Sequence, residues 1–412
     1  MRAVDYLVVG GGICGTTAAE TLRRLDPDAS IELVSREKHR LYSRVLLPHF
    51  VIGKIPRGKV FLRPADHFEG KKIVFSAGLE VVALEATSRV VKLSDGEAVR
   101  YGKLLIATGA EPLALGVPGE SLSGVYPFRS LEDAEAIQAA LAAPAAGPRH
   151  AAVVGSSFIG LEFPQFFEHY GWTGHLILRG PRFFWRVLDE AASSLLEKKL
   201  VEHGLRVYKN AAVAALEGEA GLRGVRLADG RFIEATFAAC GVGLGGAPRF
   251  AREAGLPGER GLEADEFLHT PAPDVWAAGD CALFHDFALG RRHRTPNWLN
   301  AEEQGRYAAE AMVRGSGAPY AALSSYSISV FGLPISFIGD LTDSTDSLWI
   351  TRGRAADGSL RRLHLKNGLL VGAALVGAAT ERAAIVALIK ERRALAPFAE
   401  QLADPVLDLS KL

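Results

Sequence analysis

Two glycine-rich turns, each set behind an apolar run, constrain this chain more than any other feature. The first reads Val8-Val9-Gly10-Gly11-Gly12-Ile13-Cys14-Gly15, a complete G-x-G-x-x-G. The second reads Val153-Val154-Gly155-Ser156-Ser157-Phe158-Ile159-Gly160, with serine at the middle glycine. A strand that turns through such glycines into a helix leaves backbone N–H groups free at the helix start, where a dinucleotide pyrophosphate can sit. Two such turns in one chain point to two dinucleotides held side by side, and so to hydride transfer between them. Ser157 makes the second turn the weaker copy.

The rest of the chain alternates as parallel sheets covered by helices require. Strands are expected over 5–9, 31–34 and 104–106, with a helix over 13–25 closed by Asp26-Pro27. Pro112, Pro118 and Pro127 punctuate a connector, and a helix over 131–141 leads through a linker, 142–149, into a second β-α-β unit. That unit runs to a strand over 236–239 and the glycine-rich 241–246. Residues 274–280 then form a strand returning to the first domain. From about 320, short strands (327–331, 348–351, 363–366) precede a helix over 381–393. At 412 residues the chain holds roughly two to three domains. The expected division is 1–114 with 242–319, 115–241, and 320–412. The fold class is α/β: two Rossmann-like dinucleotide-binding domains, the second inserted in the first, plus a small C-terminal α+β domain.

Composition excludes several functions. Hydrophobic residues make up 48% and charged ones 23%, with net charge zero, so nothing favours nucleic acid or an anionic membrane. Apolar runs are broken well short of a membrane span. The N-terminus enters a strand at once, leaving no room for an export signal, and a cytoplasmic protein is expected. Cys14, Cys240 and Cys281 are far apart with no C-x-x-C, so no local metal or iron–sulfur ligand run is present.

At the first turn, glycines allow a tight bend and close approach to phosphate. An acid about 20 residues on binds the adenosine ribose, and Glu37 is the candidate; a solvated loop glutamate is the alternative. Gly279-Asp280, at the end of a strand, can take a ribityl hydroxyl and phosphate of a flavin, or simply cap a helix. Cys14 sits at a helix N-terminus, which lowers a thiol pKa, or packs there as a small residue.

With these motifs, the stretches Leu104-Leu105-Ile106-Ala107-Thr108-Gly109-Ala110 and Val275-Trp276-Ala277-Ala278-Gly279-Asp280-Cys281-Ala282 resemble the FAD-dependent pyridine-nucleotide oxidoreductases. The similarity spans essentially the whole chain. Leu41-Tyr42-Ser43-Arg44-Val45-Leu46-Leu47-Pro48, Phe128-Arg129-Ser130-Leu131-Glu132-Asp133-Ala134 and the segment from Asn297-Trp298 to Gln304-Gly305 resemble rubredoxin and ferredoxin reductases. Residues 369–377 also resemble the flavoprotein portion of NAD(P)H nitrite reductases. The resemblance implies FAD along Gly10, Gly12, Ile13, Cys14, Gly15, Ser35, Arg36, Glu37, Arg44, Val82, Ala107, Thr108, Gly109, Arg129, Gly279 and Asp280. Trp298 and Gln304 would lie near the isoalloxazine ring. Disulfide reductases of this superfamily carry a redox cysteine in the segment occupied here by Tyr42-Ser43-Arg44, so dithiol chemistry is not expected.

The second site, along Gly155, Ser157, Phe158, Ile159, Gly160 and Arg179, departs from the pattern. Ser157 costs room, Pro164 falls early in the helix, and Phe163, Phe166 and Phe167 replace small residues. Leu178 stands about where an acid would bind the NAD ribose, followed by Arg179 and Arg182, which can accept a 2′-phosphate or be solvated loop arginines. The expected nucleotide is NADPH or NADH. Glu162 keeps a G-x-E spacing and, by the resemblance, meets His49; the pair would relay a proton or form a structural hydrogen bond.

The expected function is transfer of electrons from NAD(P)H through FAD to a separate protein or small-molecule acceptor, with no redox disulfide. The alternatives are an FAD-containing electron-transfer subunit and a non-enzymatic flavoprotein, either with a degenerate nicotinamide site. A homodimer and a place in a redox complex both stay open.

Overall fold

The computed structural model describes residues 1–144, 147–286, 291–315, 317–377 and 380–412, so residues 145 and 146 of the expected linker lie outside the described residues. The chain divides into two compact units: residues 1–46, 55–111 and 244–322, and residues 47–54, 112–243 and 323–412. The C-terminal sheet groups with the second unit.

The first unit is built on the strand Arg2–Val9. Its apolar half is buried, as a strand covered on both faces requires. It pairs in parallel with Ile31–Ser35 on one side and Ala98–Ile106 on the other. Val74–Ala77 and Val275–Ala277 extend the parallel sheet, and an antiparallel pair, Val81–Glu85 and Val90–Leu93, completes seven strands. The helix Ile13–Leu25 starts at Gly12 and stops before Pro27; Arg23 and Arg24 sit favourably at its carbonyl end. The helix Trp298–Arg314 crosses it closely. A Cβ on Gly305 would lie 2.2 Å from the Cys14 carbonyl oxygen, so only glycine permits the approach.

The second unit repeats the plan. Five parallel strands run in the order Arg206–Tyr208, Thr173–Ile177, His150–Val154, Phe237–Cys240, Val125–Tyr126. A capping box at Ser130 and Asp133 opens the helix Leu131–Ala142. The three phenylalanines of the helix Phe163–Tyr170 are core, not intrusions. Phe163 and Phe166 pack edge-on against Phe128 at 5.6 and 5.7 Å, and Phe167 meets Phe237 at 5.8 Å. Burying each contributes about 1.5–3 kcal/mol. The C-terminal sheet is a five-stranded antiparallel one, ordered Ser325–Val330, Leu333–Gly339, Leu369–Val376, Ser359–Lys366, Ser347–Arg354. The helix Arg382–Glu391 covers it. Phe337, from this sheet, is buried, whereas Tyr326 keeps 36% of its surface exposed. Among the described residues, no helix is long and apolar enough to cross a membrane.

Candidate functional site

The first glycine turn is an open cradle. Gly10 adopts φ +122° while its N–H bonds the Val34 carbonyl at 2.8 Å; a Cβ there would stand 2.2 Å from the Ala107 carbonyl oxygen. A Cβ on Gly15 would strike the Gly10 carbonyl oxygen at 1.9 Å. A Cβ on Gly12, by contrast, would meet nothing within 4 Å. The first helical bond runs from Thr16 N–H to the Gly12 carbonyl. The N–H groups of Ile13, Cys14 and Gly15 therefore open the helix, with the positive end of its dipole behind them.

A cleft in front of this turn is lined by Gly11, Gly12, Ser35, Glu37, Tyr42, Arg44 and Trp298, among others. Glu37 is fixed from both sides, by the Tyr42 hydroxyl and by Arg44 Nη2, each at 2.5 Å. Burial works against the Arg44 charge, yet Tyr42, Glu37 and Asp280 outweigh it and hold the guanidinium above its ordinary value. Arg36 instead points to Glu111 at 2.7 Å. Ala107 is buried beneath the turn, Thr108 and Gly109 follow it half-buried, and Val82 is exposed on its strand.

Gly279 takes φ +78°, and its N–H donates to Gln304 Oε1 at 2.7 Å. The other end of the Gln304 amide donates to Thr295 at 3.0 Å, so this fully buried side chain holds the Gly279-Asp280 turn. Of the two alternatives for Cys14, the structure has packing: the side chain is buried in the core. Burial, with Cys281 and Asp280 nearby, pushes its thiol well above the usual range, because desolvation outweighs the helix dipole. Cys281 is likewise buried with its thiol raised, and all three cysteines are free.

The turn at Gly155 has the same backbone start, with φ +110° and its N–H on the Ile177 carbonyl at 2.9 Å. Beyond it, however, the turn closes on itself. Ser157 Oγ accepts the Gly160 N–H at 3.1 Å and sits 2.7 Å from where a Cβ on Gly241 would be. Leu161 and Glu162 N–H groups bond back to Ser157, Phe158 and Ile159. The helix starts only at Phe163, with Pro164 in its first turn where proline is tolerated. Phe158 packs among Tyr326, Phe184 and Phe337 at 4.7, 5.1 and 5.1 Å, while Ile159 is exposed.

Leu178, expected about where an acid binds ribose, is buried in the core, and the exposed position is Arg179. Among the described residues Arg179 makes no hydrogen bond or ion pair. Arg129, half-buried, uses its backbone N–H on Asp133 at 2.8 Å.

Glu162 and His49 are both in the second unit, but no hydrogen bond or ion pair joins them. His49 is exposed on the short helix Leu47–Val51. The Glu162 carboxyl is pushed up to about 7 by burial alone. The native state thus keeps a proton that the unfolded chain releases near 4.5, so stability falls as pH rises from there through 7. Glu162→Gln, neutral throughout, is expected to gain up to a few kcal/mol over wild type near pH 8 and nothing near pH 4. Urea unfolding at both pH values checks this; an equal difference at each would discard the buried-proton account.

A family model described as pyridine nucleotide-disulphide oxidoreductase matches residues 4–305. The ferredoxin reductase subunit of the 5,5'-dehydrodivanillate O-demethylase of Sphingobium sp. is 32% identical over 375 residues, covering 90% of this chain and 89% of its own. Among solved structures, the ferredoxin reductase for the CYP199A2 system of Rhodopseudomonas palustris superposes with TM-score 0.88 at 28% identity, over 99% of both chains. The reductase of the covalent putidaredoxin reductase–putidaredoxin complex gives TM-score 0.91 at 25% identity, over 100% of this chain and 98% of its own.

Proposed function

The chain belongs to the pyridine nucleotide-disulphide oxidoreductase family, and we propose that it takes electrons from NADPH through FAD and passes them to a ferredoxin-type protein. It is an FAD-dependent NAD(P)H oxidoreductase without a redox disulfide. The observation that carries the reading is the open first cradle, where Gly12 leaves room and the helix-start N–H groups suit a pyrophosphate. Glu37 would hold the adenosine ribose, Arg44 a phosphate, and Asp280 the ribityl chain. FAD, when bound, supplies the chemistry that accepts a hydride and releases single electrons. Cys14 and Cys281 are free and buried, with burial raising both thiols, which fits electron transfer that does not run through a dithiol. Glu162 would keep a proton available near neutral pH.

The relatives support the acceptor: one is a ferredoxin reductase subunit, and another was captured with putidaredoxin. On this reading the acceptor is a separate polypeptide, and the protein works in the cytoplasm, where NAD(P)H is regenerated. Arg179, exposed and uncommitted after the second strand of its sheet, favours NADPH over NADH.

Anaerobic mixing of the yellow protein with each nucleotide, followed by a [2Fe–2S] ferredoxin, tests the whole reading. NADPH is expected to bleach the flavin, and the ferredoxin to restore its colour. Arg179→Gln should lower the NADPH-to-NADH preference roughly tenfold or more, the worth of a charged hydrogen bond. A protein purified without flavin would end the reading.

One observation favours a second reading. Ser157 closes the second turn, which suits an FAD-containing subunit that exchanges electrons with a partner and binds no nicotinamide. Flavin that neither nucleotide bleaches, but a reduced ferredoxin does, would select it.

A further inference from the structure

The loop after the strand Thr173–Ile177 carries a feature that electron transfer does not use. The N–H of each turn's first glycine bonds the carbonyl of Val34 or Ile177. Counting three residues on from these puts Glu37 and Gly180 in the same place. Where the first unit has a ribose-binding candidate carboxylate, the second has no side chain. The vacant space is filled from elsewhere: a Cβ on Gly180 would lie 2.4 Å from Trp185 Cδ1 and 2.6 Å from its Nε1. The indole edge therefore lies against the Gly180 backbone, yet 45% of the residue is exposed.

This indole is held rather than loose. The neighbouring Phe184 packs against Phe158 and Phe337 at 5.1 and 5.0 Å, and Phe183 is fully buried. Arg182 ties the loop across itself, donating to the carbonyls of Leu188 at 3.1 Å and Trp185 at 3.4 Å. Arg186 lies over the ring, 5.0 Å from its centroid, and the exposed Arg179 directly precedes Gly180 in the chain.

We propose that Trp185 is the stacking platform for the adenine ring of NADPH, with Arg179 taking the 2′-phosphate. The inference rests on the reading above that NADPH is the donor. An aromatic face stacks a purine without needing any particular hydrogen bond. A guanidinium matches a phosphate dianion with a forked pair of donors. Gly180 removes the carboxylate that would repel that dianion. Because Ser157 takes the Gly160 N–H that a pyrophosphate would use, the adenosine end must supply more of the binding.

The test titrates the FAD-loaded protein with 2′,5′-ADP, following tryptophan fluorescence and heat of binding, with 5′-AMP for comparison. Wild type is expected to bind 2′,5′-ADP with quenching. Trp185→Ala should weaken binding about tenfold. Trp185→Phe should keep affinity within about threefold but lose the quench, and Arg179→Gln should erase the preference over 5′-AMP. Circular dichroism and flavin content establish that each variant is folded. Unchanged affinity in Trp185→Ala, or a quench that survives in Trp185→Phe, overturns the platform. If wild type is still bleached by NADPH in either case, the proposed function stands without it. If wild type neither binds 2′,5′-ADP nor is bleached by NADPH, both are overturned.

Discussion

The Gly12→Ala protein is expected to fold and to purify colourless. Gly12 has φ −72°, which alanine adopts without strain, and its Cβ would meet no protein atom within 4 Å. The added methyl therefore costs the fold little beyond the N-cap preference of glycine over alanine, a fraction of a kcal/mol to about 1 kcal/mol. What it occupies is the space in front of the helix-start N–H groups, so the loss should fall on FAD affinity. We expect at least a hundredfold weaker binding, read by titrating apoprotein with FAD, while the apoprotein melts within a few degrees of wild type. Gly10→Ala supplies the contrast. There φ is +122° and the Ala107 carbonyl oxygen is 2.2 Å from the new atom, so backbone must move and the strand–turn junction itself is damaged. Gly12→Ala protein carrying wild-type flavin would mean that the cradle does not hold a pyrophosphate.

Arg352→Ala is expected to release the C-terminal segment. Arg352 is 1% exposed and pairs with Glu381 at 2.6 Å. Its remaining donors reach the carbonyls of Leu402, Asp404, Pro405 and Leu407, which gathers the last residues onto the sheet beside Leu402 and Leu409. Alanine leaves those buried acceptors unmet, although Glu381 keeps Arg361 at 2.5 Å. Breaking a buried, multiply bonded charge costs about 3–5 kcal/mol. Limited proteolysis should cut the variant between 394 and 412 while wild type resists. Arg352→Lys should fall between the two, since an ammonium cannot span the same acceptors. A tail as resistant as wild type would show that apolar packing alone holds it.

Much of the first site is legible because its signals are local. The helix Ile13–Leu25 occurs at the expected bounds, since a glycine start and an Asp26-Pro27 stop act within one turn of the residues that carry them. The second helix was misleading for an equally local reason. Val153 to Gly160 reads as strand into helix, but Ser157 accepts the Gly160 N–H and delays the helix to Phe163. Pro164 was the available sign, because proline belongs in a first turn. The bulky phenylalanines looked like obstacles only until Phe128 and Phe237, distant in sequence, proved to be their packing partners. Glu162 keeps a G-x-E spacing and His49 is matched to it by the resemblance, yet no hydrogen bond or ion pair joins them, and the Glu162 shift comes from burial, which no spacing encodes.

Sequence alone determined the two glycine turns, the alternating α/β plan and the absence of a cysteine in the segment after the second strand, because each depends on residues adjacent in the chain. Only the tertiary structure decided that the first turn is open while the second is closed. It also decided that Gln304 is spent on Gly279 and that Trp185 covers Gly180. Those outcomes turn on which side chain fills which space, and a space between distant segments exists only once the chain has folded around it.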